Sequence, residues 1–242
     1  MTKKIKNRNK KKLYPGIFIL TLYLFYLANF LKNTSILLMP KEYKEIKNIV
    51  NKLASKNKLG DKEITFSITN GDYMSWNMKD LELCKAKRCW YYNNLSPYKK
   101  YKNRNGININ ELSNQAYLYG GIEAYTWNNI VWISKSTFRS LGENNGFLGC
   151  IIGHELSHIL FDDHISDSLI LSSKLRDLVL ENKLSDEKDL EDKDKKFIEM
   201  EISRSSESKA DNGAAKLLIN AGFPKDTCTK FLTYITDLEK LD

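Results

Sequence analysis

Two histidines and a glutamate lie together in one short motif of the chain, His154-Glu155-Leu156-Ser157-His158. Residues four apart on a helix share a face, so both imidazoles can reach one zinc ion from a rigid support. Glu155 is rotated by about 100° from His154 around the helix axis, which places its carboxylate beside a water at the metal. The motif predicts metal-assisted hydrolysis, with Glu155 as the base that moves a proton from water to the leaving group. A random occurrence is improbable in a chain with three histidines.

A zinc site of this type needs a third protein ligand, and two candidates follow the motif. His164 has the spacing of the third histidine in metzincins, but Phe161 occupies the position at which those enzymes turn the chain with glycine. Glu207 lies in a predicted helix, and Asp211 is one turn further on, where it can accept a hydrogen bond from a ligand histidine. Small residues that would let this helix approach the histidines are Ala210, Gly213, Ala214 and Ala215. The residue pattern favours Glu207 and leaves His164 open.

The motif, followed about fifty residues later by Ser-Arg-x-x-Glu-x-x-Ala-Asp, resembles the membrane-associated zinc peptidases of the HtpX, Oma and CAAX prenyl protease type, which are gluzincins of metallopeptidase family forty-eight. The resemblance covers roughly residues 124–223. It implies that His154, His158 and Glu207 bind one Zn²⁺ per chain. Glu155 is then the catalytic base, and Asp211 hydrogen-bonds a ligand.

The same resemblance makes two further predictions about substrate handling. The segment over residues 129–134, a predicted strand, would be the edge strand that aligns a substrate chain by backbone pairing. No histidine follows Glu207, so the candidates for stabilising the oxyanion are Arg204, His164 or a tyrosine.

The N-terminus has the pattern of a membrane anchor. Residues 1–12 carry seven basic residues and no acidic ones, which predicts a cytoplasmic tail. Residues 13–31 are uncharged and apolar, and nineteen helical residues span about 28 Å, close to the thickness of a bilayer core. A cleaved signal would favour small residues in an Ala-x-Ala arrangement after the apolar stretch, whereas residues 27–31 read Leu-Ala-Asn-Phe-Leu. We therefore expect a single-pass protein with a periplasmic or equivalent catalytic domain.

Beyond the tail, the net charge of +8 falls to +1, since seven of the charges lie in residues 1–12. The basic and aromatic residues near Tyr98 match no nucleic-acid recognition motif, and we expect no nucleic-acid partner.

An oxidising compartment would allow the four cysteines to form two disulfides, with Cys84 and Cys89 as the favoured pair. The oligomeric state is not predicted.

Hydrophobic periodicity predicts how these residues are positioned. It gives a helix after Pro40, a strand over residues 64–69, short strands near 115–119 and 124–126, and helices over most of the chain after residue 136. Residues 185–196 have the charge pattern of a solvated loop or helix face.

These elements predict an α+β fold, a helix-rich gluzincin-like zinc peptidase domain over residues 40–242 with a small sheet, preceded by one transmembrane helix. Residues 72–123 resemble an insert and are unassigned. The expected function is a zinc-dependent endopeptidase that cleaves membrane or envelope proteins in quality control. The alternative is a membrane-anchored chaperone or binding protein with a structural zinc site, although a base beside an open coordination position argues against it.

Overall fold

The computed structural model describes residues 17, 19–28, 39–103, 106–181 and 192–240. The chain forms two units, residues 1–44 and residues 45–242. In the first unit, residues 19–28 are helical, and large apolar side chains from Ile19 to Leu27 are exposed. Among the described residues, no helix combines the length and the apolar content needed to cross a membrane. The predicted tail and eight of the nineteen residues of the predicted anchor lie outside the described residues.

The described part of the chain is rich in helix and has a single small sheet, as predicted. The elements in chain order are α1 (Lys41–Ala54), β1 (Thr65–Thr69), α2 (Asp72–Asp80), α3 (Ala86–Asn93), α4 (Ile109–Tyr119), β2 (Ala124–Trp127), β3 (Ile130–Ser134), α5 (Lys135–Leu141), α6 (Asn145–Leu160), α7 (Asp163–Glu181), α8 (Asp192–Asn220) and α9 (Thr227–Glu239).

The sheet has the strand order β1-β3-β2, with β1 parallel and β2 antiparallel to β3. A two-residue turn at Asn128 and Asn129, both with positive φ (48° and 60°), joins β2 to β3. Asparagine tolerates this conformation, which suits the twist of a tight hairpin. The prediction that residues 129–134 form an edge strand is therefore wrong: β3 is central because β1 pairs with its other side, and β2 lies at an edge.

Helices α6 and α8 pack against each other through small residues. The side chain of Asn144 accepts a hydrogen bond from the Phe147 amide (3.1 Å) and caps the start of α6. A Cβ at Gly153 of α6 would lie 3.2 Å from Ala214 Cα of α8. The predicted close approach of the two helices is confirmed, and it brings their backbones near enough for short side chains to meet.

Residues 72–123 contain helices α2, α3 and α4, which enclose a small apolar core of their own. Its buried members are Met74, Met78, Leu95, Ile109, Leu112 and Ala116. The strand predicted near residues 115–119 is wrong, because this segment is the end of α4. Ile109, Leu112 and Ala116 recur at helical spacing and pack into this core.

Two disulfides join Cys84 to Cys89 and Cys150 to Cys228. The second links α6 to α9.

Residues 192–196, predicted to be part of a loop or solvated helix face, belong to helix α8, while residues 182–191 lie outside the described residues.

Candidate metal centre

The side chains of His154, His158 and Glu207 converge between α6 and α8. The two Nε2 atoms are 3.0 Å apart, and the Glu207 carboxylate oxygens lie 3.1 Å from His154 Nε2 and 3.6 Å from His158 Nε2. The three ligand atoms all lie within 4.8 Å of one another. Ligands about 2.0 Å from one zinc ion in a tetrahedron are about 3.3 Å apart, so the spacing fits that metal.

The hydrogen bond at Nδ1 of each imidazole determines whether its Nε2 presents a proton or a lone pair to the site. His154 Nδ1 lies 2.8 Å from Asp211 Oδ1, and His158 Nδ1 lies 2.9 Å from Asp163 Oδ2. An ionised carboxylate can only accept, so each Nδ1 carries the proton and donates it. Each Nε2 then directs a lone pair inward, toward the other imidazole and toward Glu207. Three converging acceptors without a proton between them could hold a cation.

Asp163 is a candidate site residue that the sequence reasoning missed. It is only 3% exposed, and Lys209 Nζ lies 3.2 Å from its second oxygen. It reaches His158 because the chain turns sharply after α6, with Asp162 at a positive φ of 53°. An aspartate five residues after the second histidine was the available signal, but its use depends on that turn.

Glu155 lies beside these ligands on α6 and is only 6% exposed. Burial raises the pKa of its carboxyl to about 7; the interaction with His158 acts in the opposite direction, and the Glu207 carboxylate adds to the rise. A carboxylate with a pKa near neutrality can both accept and return a proton at physiological pH. Its environment therefore suits a general base.

Two cavities meet at these residues. The histidine cleft, of about 240 Å³, contains His154, Glu155, His158 and Glu207 and is further lined by Ala124, Tyr125, Thr126, Asp163, Ser203 and Ser206. An apolar pocket of about 440 Å³ shares His154, Glu155 and Glu207, and it extends toward α9, where Phe231 and Leu232 line it. The site is thus open on one side to edge strand β2 and on the other to an apolar surface, which leaves room for an extended chain.

The remaining predicted site residues lie as follows. Arg204 is exposed on α8 and does not line the histidine cleft. His164 is in the first turn of α7, and its side chain is outside the described part of the structure. Phe161 has a φ of −90°, so the sharp turn that metzincins make at this position is displaced to Asp162. The roles of Arg204 and His164 remain predictions.

The model of a known family, described as Peptidase family M48, matches residues 100–237. No curated protein and no solved structure matches the chain. The matched region contains α4 to α8 and most of α9, and it includes His154, Glu155, His158 and Glu207. Because the match covers more than half of the 242 residues, the chain belongs to peptidase family M48. Membership of this family implies a metal-dependent peptidase, with zinc as the usual metal.

Proposed function

We propose that this family M48 peptidase is a zinc-dependent endopeptidase in which His154, His158 and Glu207 hold one zinc ion per chain. The observation that carries the proposal is the convergence of three lone-pair acceptors beside the buried carboxylate of Glu155. When bound, zinc supplies a Lewis acid that polarises the scissile carbonyl and makes the attacking water more acidic.

The protein residues supply the proton transfer and the orientation. Glu155 takes a proton from the attacking water and delivers it to the leaving nitrogen as the carbon–nitrogen bond breaks, so the carboxylate is regenerated. Asp211 and Asp163 hold the two imidazoles in the tautomer whose Nε2 faces the metal. Lys209 contacts Asp163 and offsets the cost of burying its charge.

The proposed setting is a membrane, with residues 13–31 as a single anchor, the N-terminus cytoplasmic and the peptidase domain in the periplasm or an equivalent compartment. The seven basic residues before the anchor support this orientation. The exposed apolar side chains between Ile19 and Leu27 also support it, because surfaces of this kind are costly in water. Disulfides at all four cysteines favour an oxidising compartment.

The proposed substrates are membrane or envelope proteins, cleaved in the course of quality control. Nucleic acid is not a proposed partner, since residues 111–242, which hold the site, have 15 basic and 23 acidic residues. Such a surface repels a polyanion.

The experiment compares the full-length chain in detergent micelles with three single variants, measuring zinc per chain and casein cleavage with and without chelator. Wild type should hold one zinc and cleave. Glu155→Gln should keep the zinc and lose about 10²- to 10⁴-fold in rate, because it lacks the general base. Glu207→Ala should lose the zinc. Glu199→Ala, at an exposed position of the same helix, is the matched control and should behave as wild type.

Two results would overturn parts of this assignment. Wild-type zinc affinity in Glu207→Ala would mean that the third ligand lies elsewhere, and His164 would then be tested. Full zinc occupancy without cleavage of casein or of membrane-protein substrates would favour the chaperone or binding protein with a structural zinc site.

A further inference from the structure

A third cavity, of about 670 Å³, adjoins the histidine cleft and is lined mainly by aromatic rings. We call it the aromatic cleft; its rings are Trp90 and Tyr91 of α3, Tyr125 and Trp127 of β2, and Trp132 of β3. Trp90 and Trp127 are 62% and 58% exposed. Exposed tryptophans that gather around one concavity indicate a binding surface, since isolated ones need no explanation.

Edge strand β2 connects the two clefts. Tyr125 and Trp127 are exposed on one face of the strand, whereas Thr126 between them is buried on the other. Tyr125 stacks on Trp132, its neighbour across the sheet, with ring centroids 6.0 Å apart and planes within 11°. Tyr125 and Thr126 line both the aromatic cleft and the histidine cleft. A chain seated at the metal centre is therefore within reach of the aromatic rings.

Several polar side chains around the aromatic cleft are already engaged in hydrogen bonds with protein groups. The Tyr125 hydroxyl donates to Asn94 Oδ1, and Asn93 Nδ2 donates to Asp72 Oδ1. Asn93 Oδ1 accepts the Ser75 amide at 3.0 Å. A sugar would need free polar side chains to hydrogen-bond its hydroxyls, whereas an aromatic ring requires only the apolar faces of the lining rings. The chemistry of the lining favours an aromatic guest.

We propose that the aromatic cleft is a specificity subsite that binds an aromatic side chain of the peptide substrate. The proposal rests on the proposed peptidase function and adds a preference that the metal centre cannot supply. A peptide lying extended along β2 presents alternate side chains to the two faces of the sheet. Only those on the Tyr125 and Trp127 face enter the aromatic cleft, so the preferred positions must be an even number of residues apart. Trp90 and Tyr91 come from residues 72–123, which gives that region a role in substrate choice.

The test uses decapeptides in which one phenylalanine is moved, position by position, through an Ala-Ser-Gly sequence. Cleavage is measured with the zinc-loaded full-length enzyme in micelles, and binding of the same fluorescently labelled peptides is measured by anisotropy with zinc-loaded Glu155→Gln. Trp127→Ala and Trp90→Ala remove exposed rings, so the fold should survive. Trp76→Ala is the control, because Trp76 is 63% exposed but does not line the aromatic cleft.

We expect phenylalanine to raise kcat/KM at positions of one parity relative to the cut. Trp127→Ala and Trp90→Ala should each reduce that advantage about three- to tenfold, as expected for loss of one aromatic contact. Trp76→Ala should change neither that advantage nor the cleavage of the all-Ala-Ser-Gly peptide.

The outcomes separate this proposal from the peptidase function. Cleavage with no phenylalanine preference, or with a preference that both tryptophan variants retain, overturns the subsite and leaves the peptidase function intact. If no peptide is cut, anisotropy decides: a phenylalanine preference lost in Trp127→Ala supports the subsite, and its absence overturns it. Binding of chitotetraose without a phenylalanine preference would reassign the cleft to a glycan.

Discussion

Gly213→Ala tests whether the metal centre depends on direct backbone contact between α6 and α8. A Cβ at position 213 would lie 2.3 Å from Ser157 Oγ and 2.8 Å from Ser157 Cβ. The hydroxyl can rotate away, but Ser157 Cβ is fixed to the backbone of α6. Ordinary contact begins at 3.4 Å, so α8 must move by about 0.6 Å.

This displacement is large on the scale of metal coordination. Glu207 lies on the same helix as Gly213, less than two turns away, and moves with it. Ligand distances are held within about 0.2 Å, so a shift of about 0.6 Å moves Glu207 out of position. We expect zinc affinity to fall about 10- to 100-fold, or about 1.4 to 2.8 kcal/mol. Overpacking costs about 1–3 kcal/mol of stability, of which the better helix propensity of alanine offsets about 1 kcal/mol.

The assay is zinc affinity by chelator competition, together with urea unfolding of the metal-free protein. Gly149→Ala is the matched control on α6, because its Cβ would lie 3.5 Å from Leu218 Cδ2, an ordinary contact. The control should bind zinc as wild type does. If Gly213→Ala also bound zinc with wild-type affinity, the reasoning that backbone contact sets the ligand geometry would be refuted.

Three further predictions follow from other contacts. Asp163→Asn removes the charge that orients His158 and should weaken zinc binding about 10- to 100-fold in chelator competition; unchanged affinity would show that Asp163 does not position the ligand. Burial raises the pKa of Glu123 to about 7, above its ordinary value of 4.5. The neutral carboxyl is therefore favoured in the folded protein, and the stability that it contributes is present below pH 4.5 and lost as pH rises through 7. In urea unfolding, Glu123→Gln should therefore be about 1 kcal/mol more stable than wild type at pH 8, a value reduced because the side chain is partly exposed, and as stable as wild type at pH 4.5. Equal stability of the two proteins at both pH values would contradict this. Replacing Cys150 and Cys228 by serine opens a link across 78 residues and should lower the unfolding free energy by about 2–4 kcal/mol, and an unchanged urea midpoint would argue against it.

The three residues of the candidate metal centre were accessible to sequence reasoning because they lie in regular helices. His154 and His158 are one turn apart, and the same spacing relates Glu207 to Asp211, so the shared faces follow from helix geometry alone. The small residues of α8 indicated the close packing that brings these faces together. Helical periodicity thus predicted both the site and the contact that assembles it.

Features that depend on turns or on distant pairing were not accessible. Asp163 reaches His158 only through the positive-φ residue at Asp162, which no periodic pattern reveals. The short apolar run over residues 130–133 indicated that β3 is a strand, but its central position depends on parallel pairing with β1, about sixty residues earlier in the chain. Residues 115–119, the end of α4, were predicted as a strand because a short apolar stretch is compatible with a helix or a strand until packing against α2 decides.

The Cys150–Cys228 bond has a consequence for the lifetime of the molecule. It closes a covalent ring, and His154, His158 and Glu207 all lie within that ring, as do Asp163 and Asp211. A protease that cuts its own chain once between the two cysteines cannot separate the fragment bearing the histidines from the one bearing the glutamate. The nicked protein stays one molecule, with its ligand set together, until the bond is reduced.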